Sequence, residues 1–182
     1  LAQISSRNDS LTHLNNRRAL DEQLPHLMRE SMRERTPVTV LFIDIDHFRL
    51  FNEHYGHESG DVALLAVASA LARVCQRPLD FICRWGGEEF VAVLPNTNTD
   101  AAKKIAQDML SATRALKLHV PHDTPPRITV SIGYVTRTIN ASTLDDDLVG
   151  IADLAMLQAK EQGRDQSVMA APVHCTNPRI TC

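Results

Sequence analysis

Two pairs of carboxylates in this 182-residue chain stand where strand ends and turns would gather them. Asp44 and Asp46 follow a β-branched apolar run, and Glu88 and Glu89 follow Gly86-Gly87. If the two segments are neighbouring antiparallel strands, Asp44 comes near Glu88. Two hard oxygen ligands suit Mg²⁺, which takes one or two carboxylates and completes its shell with substrate phosphates. That is a layout for phosphoryl transfer. Spacing alone leaves an alternative, in which Asp46 caps a helix and the glutamates solvate a turn.

Three further groups could act with the carboxylates. In the segment from Asn52 to Asp61, amide, imidazole and carboxylate groups lie between two helical patterns. Asn52 and Asp61 could accept from and donate to the polar edge of a guanine, a pairing that leaves buried groups unpaired against adenine. His57 could equally bond to backbone and fix the loop, and Asp61 could be a helix cap. Lys160 and Arg164 lie four apart and could clamp phosphates, or could complement a helix C-terminus. Arg77 and Asp80 form an RxxD pair, a pattern that carries no information by itself in a charged chain.

The elements that must position these residues follow from periodicity. Thr12 to Arg35 reads as a helix closed by Pro37, and residues 38–44 read as a strand buried on both faces. Residues 46–56 form a short helix with Asp46 as N-cap and Gly56 as its stop. Gly60 to Cys75 repeats apolar residues at helical spacing. The period then changes to two in residues 79–85 and 88–94, joined by Gly86-Gly87, and a two-residue Gly-Gly link marks a hairpin because both positions tolerate positive φ. Asn98 to Leu118 is helical, residues 120–126 are a Pro-rich loop, and residues 127–136 are a strand. Leu144 to Gln162 is the last helix, with acidic residues at its start and Gly163 at its end, and residues 166–169 are a short strand. The order implies a sheet with helices on its faces and a split βαβ core.

Composition bounds the function. With 19 Lys+Arg against 22 Asp+Glu and a net charge of -3, the chain has no basic excess for a phosphate polymer or an anionic membrane, and nucleic acid is not expected as a partner. Aromatic residues make up 4% of the chain, which disfavours a base-stacking platform. The four cysteines, Cys75, Cys83, Cys175 and Cys182, show no CxxC spacing and suggest a reducing, cytoplasmic setting. No apolar run reaches the roughly 18 residues of a membrane span. The helical spacing of Leu1, Ile4 and Leu11 suggests that residues 1–8 end a linker helix from a missing N-terminal module, through which the full protein could be membrane-anchored. Residues 170–182 read as a flexible tail.

Five segments, residues 9–20, 42–61, 84–90, 129–134 and 152–165, strongly resemble the GGDEF family of diguanylate cyclases in the family's order. The resemblance runs from about residue 9 to 169, with the signature in its GGEEF form at residues 86–90. It implies an α+β fold, a ferredoxin-like or nucleotidyl-cyclase palm with a mainly antiparallel five-stranded sheet flanked by helices. It also implies conversion of two GTP into cyclic di-GMP and two pyrophosphates. Carried onto matching positions, Asp44, the Ile45 carbonyl and Glu88 are the expected ligands of Mg²⁺, or of Mn²⁺ in its place. Glu88 or Glu89 would help deprotonate the attacking 3′-hydroxyl. Asn52 and Asp61 would read the guanine, with His57 in the same nucleotide-binding segment, Lys160 and Arg164 would clamp the phosphates with backbone N–H groups of Phe48 and Arg49, and Gly86 and Gly87 would let the α-phosphate approach. A homodimer is implied, because one domain holds one GTP. Arg77 and Asp80 fall where the family places an inhibitory site for its product, cyclic di-GMP.

Three positions depart from the family pattern. Arg49 replaces a common lysine and keeps its charge, Leu157 replaces a tyrosine and is expected to alter helix packing only, and Asp165 replaces an asparagine. Asp165 adds a negative charge beside the expected clamp and is expected to weaken GTP binding. The rival readings are a catalytically silent module that binds GTP or cyclic di-GMP to regulate a partner domain, and a nucleotidyltransferase for another nucleotide.

Overall fold

The computed structural model of the protein describes residues 6–121 and 126–171. In chain order its elements are β1 (Asn15–Asn16), α1 (Arg17–Glu34), β2 (Pro37–Ile45), α2 (Phe48–Tyr55), α3 (His57–Val74), β3 (Phe81–Gly86), β4 (Glu89–Pro95), α4 (Thr99–Arg114), β5 (Val130–Thr138), α5 (Leu148–Glu161) and β6 (Ser167–Met169). The strands form one sheet in the order β1-β3-β4-β2-β5-β6. Its four central strands are antiparallel, and the short outer strands β1 and β6 run parallel to β3 and β5. The expected architecture therefore holds, with six strands rather than five. The extra strand is the two-residue β1, too short to leave a periodic trace in sequence.

Strand alternation on β2 explains why helices cover both faces. Leu41, Ile43 and Ile45 pack with Phe48 and Phe51 of α2, Leu64 and Leu71 of α3, and Met109 of α4. Val38, Val40 and Phe42 point the other way, onto Leu20 and Leu27 of α1 and Met156 of α5. Where α5 crosses β5, Gly133 lies so close to the backbone of Ala152, Ala155 and Met156 that a Cβ would clash, which accounts for glycine in the residue 131–134 segment. Leu157 is exposed on α5, so the tyrosine-to-leucine departure falls at the surface and outside the core clusters.

Several boundaries differ from the periodicity reading. The first helix starts at Arg17 because Asn16 caps it, accepting from the Ala19 N–H at 2.9 Å. Asp46 is not a cap. His47 holds the N-cap of α2 in the left-handed region, with φ 54° and no side-chain bond. Helix α3 starts at His57, so Asp61 lies inside its first turns and caps nothing. Asp147, not Leu144, opens α5, its carboxylate accepting from the Gly150 N–H at 2.9 Å. The linker-helix expectation falls mostly on residues 1–5, outside the described residues. Asn8 itself bridges to Asn15 and is not helical. The tail from 172 onward, with Cys175 and Cys182, also lies outside them.

Candidate active site

The hairpin between β3 and β4 turns one residue later than its glycines suggest. Gly86 pairs with Glu89, so the two turn residues are Gly87 and Glu88 rather than Gly86-Gly87. Only Gly87 takes positive φ, at 42°, and the register shifts between Arg84 and Gly86. Glu88 is thereby lifted to the tip of the turn while Glu89 begins a strand. Asp44, at the carboxyl end of β2, pairs with Glu89, and the Ile45 N–H donates to the Glu88 carbonyl at 3.2 Å. Both acidic pairs thus meet at one end of the central strands.

Sequence reasoning missed what holds that turn. The Arg84 guanidinium donates from Nε and Nη2 to the Gly87 carbonyl at 2.9 and 2.7 Å, and from Nη1 to both Asp9 oxygens at 3.2 Å. Asp9 also accepts from the Thr12 N–H at 2.8 Å and the Thr12 hydroxyl at 2.7 Å. Burial raises the Asp9 carboxyl, but the bonds from Thr12 and Arg84 outweigh it and hold the group below its ordinary range. The traceable mark was Asp9 three residues before Thr12, a local side-chain turn.

Lys160 of α5 places Nζ 2.7 Å from Asp44 Oδ1. This short ammonium–carboxylate contact pairs Oδ1 within its buried site. Burial pushes the Asp44 carboxyl up to about 6 against the pull of Lys160, with Glu88 and Glu89 repelling a further negative charge. Glu89 is raised as well, by burial and then by Asp153 and Glu88. A buried carboxylate beside two further acidic side chains, balanced by a single ammonium, fits a hard divalent cation. Among the described residues no three His, Cys, Asp or Glu side chains form a metal cluster. A cation at Asp44 and Glu88 therefore needs backbone and substrate oxygens to complete its shell.

Beside the turn, Phe48, Arg49, Asn52, Glu53, His57 and Glu88 line an open pocket of ≈ 340 Å³. It gathers five of the residues expected to bind substrate or metal, and adds Glu53, whose Oε1 accepts from Arg49 Nε at 2.9 Å. That i,i+4 pair was a signal available in the sequence. Asn52 Oδ1 is buried without a partner and lies against Gly60, where a Cβ would clash with it. Asp61 is exposed on α3 and is not part of the pocket wall.

Asp46 ties three elements together. It accepts from Ser131 Oγ at 2.6 Å, Thr129 Oγ1 at 2.7 Å and the Asp165 N–H at 3.0 Å. Arg164 and Asp165 both adopt the left-handed region, with φ 64° and 47°. Arg114 of α4 donates from Nε to Asp165 Oδ1 and from Nη2 to its carbonyl, both at 2.8 Å. The Asp165 charge, expected to oppose phosphate, is thus paired with a cation. Arg164 is exposed one turn beyond Lys160.

At the opposite end of β4, Arg77 and Asp80 close a turn. Arg77 Nη2 is 2.7 Å from Asp80 Oδ1, Nε donates to the same oxygen at 2.9 Å, and Nη2 donates to Thr97 Oγ1 at 2.6 Å. The Asp80 side chain is 3% exposed and that of Arg77 46%, and both border a pocket with Pro78, Leu79, Pro95 and Asn96.

The helix-covered, mainly antiparallel sheet with an acidic hairpin at one end defines a palm-like α+β domain. The family described as "Diguanylate cyclase, GGDEF domain" matches residues 6–166, and the chain belongs to that family. It is 35% identical over 162 residues to the diguanylate cyclase DgcP of Pseudomonas aeruginosa, covering 89% of this chain and 24% of that protein. It is 37% identical over 161 residues to the response regulator PleD of Caulobacter vibrioides, covering 88% of this chain and 35% of PleD. The chain therefore spans about a third or less of these curated relatives. The crystal structure of the GGDEF domain of DgcB from Caulobacter crescentus in complex with c-di-GMP superimposes with a TM-score of 0.85 at 29% identity, covering 93% of this chain and 99% of that one. No helix among the described residues is long and apolar enough to cross a membrane.

Proposed function

We propose that this domain is a diguanylate cyclase that condenses two GTP into cyclic di-GMP, releasing two pyrophosphates. The observation that carries the reading is the convergence of Asp44, Glu88 and Glu89 at one hairpin, with Lys160 on Asp44 and the Asn52 pocket alongside. The relatives named as diguanylate cyclases support it.

Asp44, the Ile45 carbonyl and Glu88 would hold the cation, Mg²⁺ or Mn²⁺, which when bound supplies positive charge against the triphosphate. Asn52 orients the guanine with His57 beside it in the pocket, Asp61 approaches the same segment from its exposed place on α3, and the backbone N–H groups of Phe48 and Arg49 at the start of α2 meet phosphate oxygens. Lys160 and Arg164 balance charge on the phosphates, and the small Gly86 and Gly87 leave room for the α-phosphate. Glu88 or Glu89 takes the 3′-hydroxyl proton, and burial of Glu89 together with its acidic neighbours raises its basicity for that role. The oxygen forms a bond to the α-phosphorus of the other GTP, the bond to the β-phosphate oxygen breaks, and pyrophosphate leaves. Two such steps close the ring, so two copies face each other about a two-fold axis.

Product would bind at Arg77 and Asp80, with the guanidinium on phosphate or guanine and the carboxylate on a guanine edge. Turnover of GTP with Mg²⁺, an ATP control and product chromatography tests the activity. Cyclic di-GMP formed from GTP alone supports it, and undiminished formation by Glu88→Ala overturns the metal assignment. A silent module would bind GTP or cyclic di-GMP without product. In Arg77→Ala, inhibition by added cyclic di-GMP should weaken at least about tenfold, since a two-pronged charged contact is lost. Unchanged inhibition removes that site.

A further inference from the structure

We infer that Arg114 and Asp165 are positioning residues that hold Arg164 in its phosphate-facing conformation, an inference that rests on the cyclase reading above. Arg164 and Asp165 are consecutive non-glycine residues with positive φ, a conformation that persists only where surrounding contacts impose it. Several contacts do so. The Arg164 N–H donates to the Ala159 carbonyl at 2.9 Å, the Asp165 N–H donates to buried Asp46 at 3.0 Å, and Arg114 grips both the carboxylate and the carbonyl of Asp165, while Gln166 Nε2 donates to the Arg164 carbonyl at 3.2 Å and Arg164 Nη1 to the Lys160 carbonyl at 3.5 Å.

The first two contacts use backbone N–H groups that any residues at positions 164 and 165 would supply. The third depends on side chains, and it ties the loop to α4, which contributes nothing else to the substrate-facing end. Its partners are exposed by 42% and 38%, a setting in which an ion pair adds little stability. Its two-pronged geometry nonetheless fixes orientation. The loop begins directly after α5, whose last turn carries Lys160, so one anchor on Asp165 sets the spacing between the two cations. The same Asp46 carboxylate that receives the Asp165 N–H sits two residues from Asp44, so the loop is registered to the acidic end of β2.

The test is a double-mutant cycle on Arg114→Ala and Arg164→Ala, read by KM for GTP, kcat, and the dissociation constant of the α-thio analogue of GTP with Mg²⁺. Arg114→Ala is expected to raise KM and the analogue's dissociation constant about tenfold, with kcat within about twofold and little change in Tm. In the Arg164→Ala background the same change should add nothing further. Asp165→Asn keeps both backbone contacts and should give about a threefold rise with the same non-additivity, and it serves if Arg114→Ala does not fold. An unchanged KM, an equal effect with or without Arg164, or a fall in kcat and Tm together overturns the inference. Failure of the unaltered chain to bind the analogue overturns the cyclase reading beneath it, and is told apart because it needs no variant.

Discussion

Lys160 and Asp44 face each other where α5 passes the end of β2, with Nζ 2.7 Å from Oδ1 of the buried carboxylate. The Asp44 side chain is 6% exposed and Lys160 24%, so the pair is largely desolvated, and the acid bears the larger cost. Its carboxyl titrates near 6 where an unfolded aspartate titrates near 3.8. Because the folded value is the higher one, the unfolded chain releases its proton first. Stability from this group is complete below the unfolded value and is lost as pH rises through about 6. Asp44→Asn should therefore abolish turnover yet raise stability at pH 7.5 by about 1–2 kcal/mol in the absence of divalent cation. The gain should disappear near pH 4. Thermal melts of both proteins across that range check it, and a loss of stability at pH 7.5 would show that Lys160 outweighs burial.

The same carboxyl predicts how a cation acts. A ligand must be ionised to bind metal, so protons compete with Mg²⁺ at Asp44 below about pH 6. Millimolar Mg²⁺ without nucleotide should raise Tm by a few degrees at pH 7.5 and by clearly less at pH 5.5. Glu88→Gln and Asp44→Asn should each remove the shift. A pH-independent shift that survives both substitutions would place cation binding elsewhere.

Arg84 offers a separate handle, because it touches the hairpin backbone rather than the pocket. Its guanidinium links the Gly87 carbonyl to Asp9, so the turn carrying Glu88 is fastened to the segment before β1. Arg84→Ala should lower kcat about tenfold or more and cost about 2–3 kcal/mol of stability, since its ion pair with Asp9 is mostly buried. Arg84→Lys should not restore rate, as an ammonium cannot reach both partners with a planar fork. Steady-state kinetics beside thermal melts separate these effects, and an unaltered kcat in Arg84→Ala would deny the brace a role in turnover.

How legible the molecule was depends on the length of each pattern. The apolar run of β2 and the helical stripes of α1, α3, α4 and α5 declared themselves because each repeats over many residues. What could not be read were contacts settled by one residue. Asp46 looked like a cap, since it precedes a short helix. It instead faces Ser131, Thr129 and Asp165, none of which is near it in sequence. The glycine pair announced a hairpin, but the register shift beside Trp85 moved the turn by one residue and put Glu88 at its tip. Asp165 read as an uncompensated charge because its partner Arg114 lies 51 residues away. Spacing suggested the carboxylates and the two cations as candidates, while the ranking of their roles came from the family resemblance.

Gly60 is the remaining case in which one residue decides a contact at the site. Its Cα lies against Asn52 Oδ1, a buried oxygen without a partner, and a Cβ there would collide with that side chain. Gly60→Ala should displace Asn52 within the pocket shared with His57 and Glu88. Helix α3 itself should not suffer, because alanine is the better helix former by about 1 kcal/mol and Gly60 has an ordinary helical φ. The expected outcome is a Tm near that of the unaltered chain with KM for GTP raised roughly tenfold, from loss of a polar contact to the base. Discrimination against ATP should fall in step. Gly133→Ala is the contrasting control, since its Cβ meets backbone of α5 that cannot yield. It should cost about 3 kcal/mol or more of stability. Should Gly60→Ala leave KM and the GTP-to-ATP preference unchanged while folding normally, Asn52 is not a reader of the base.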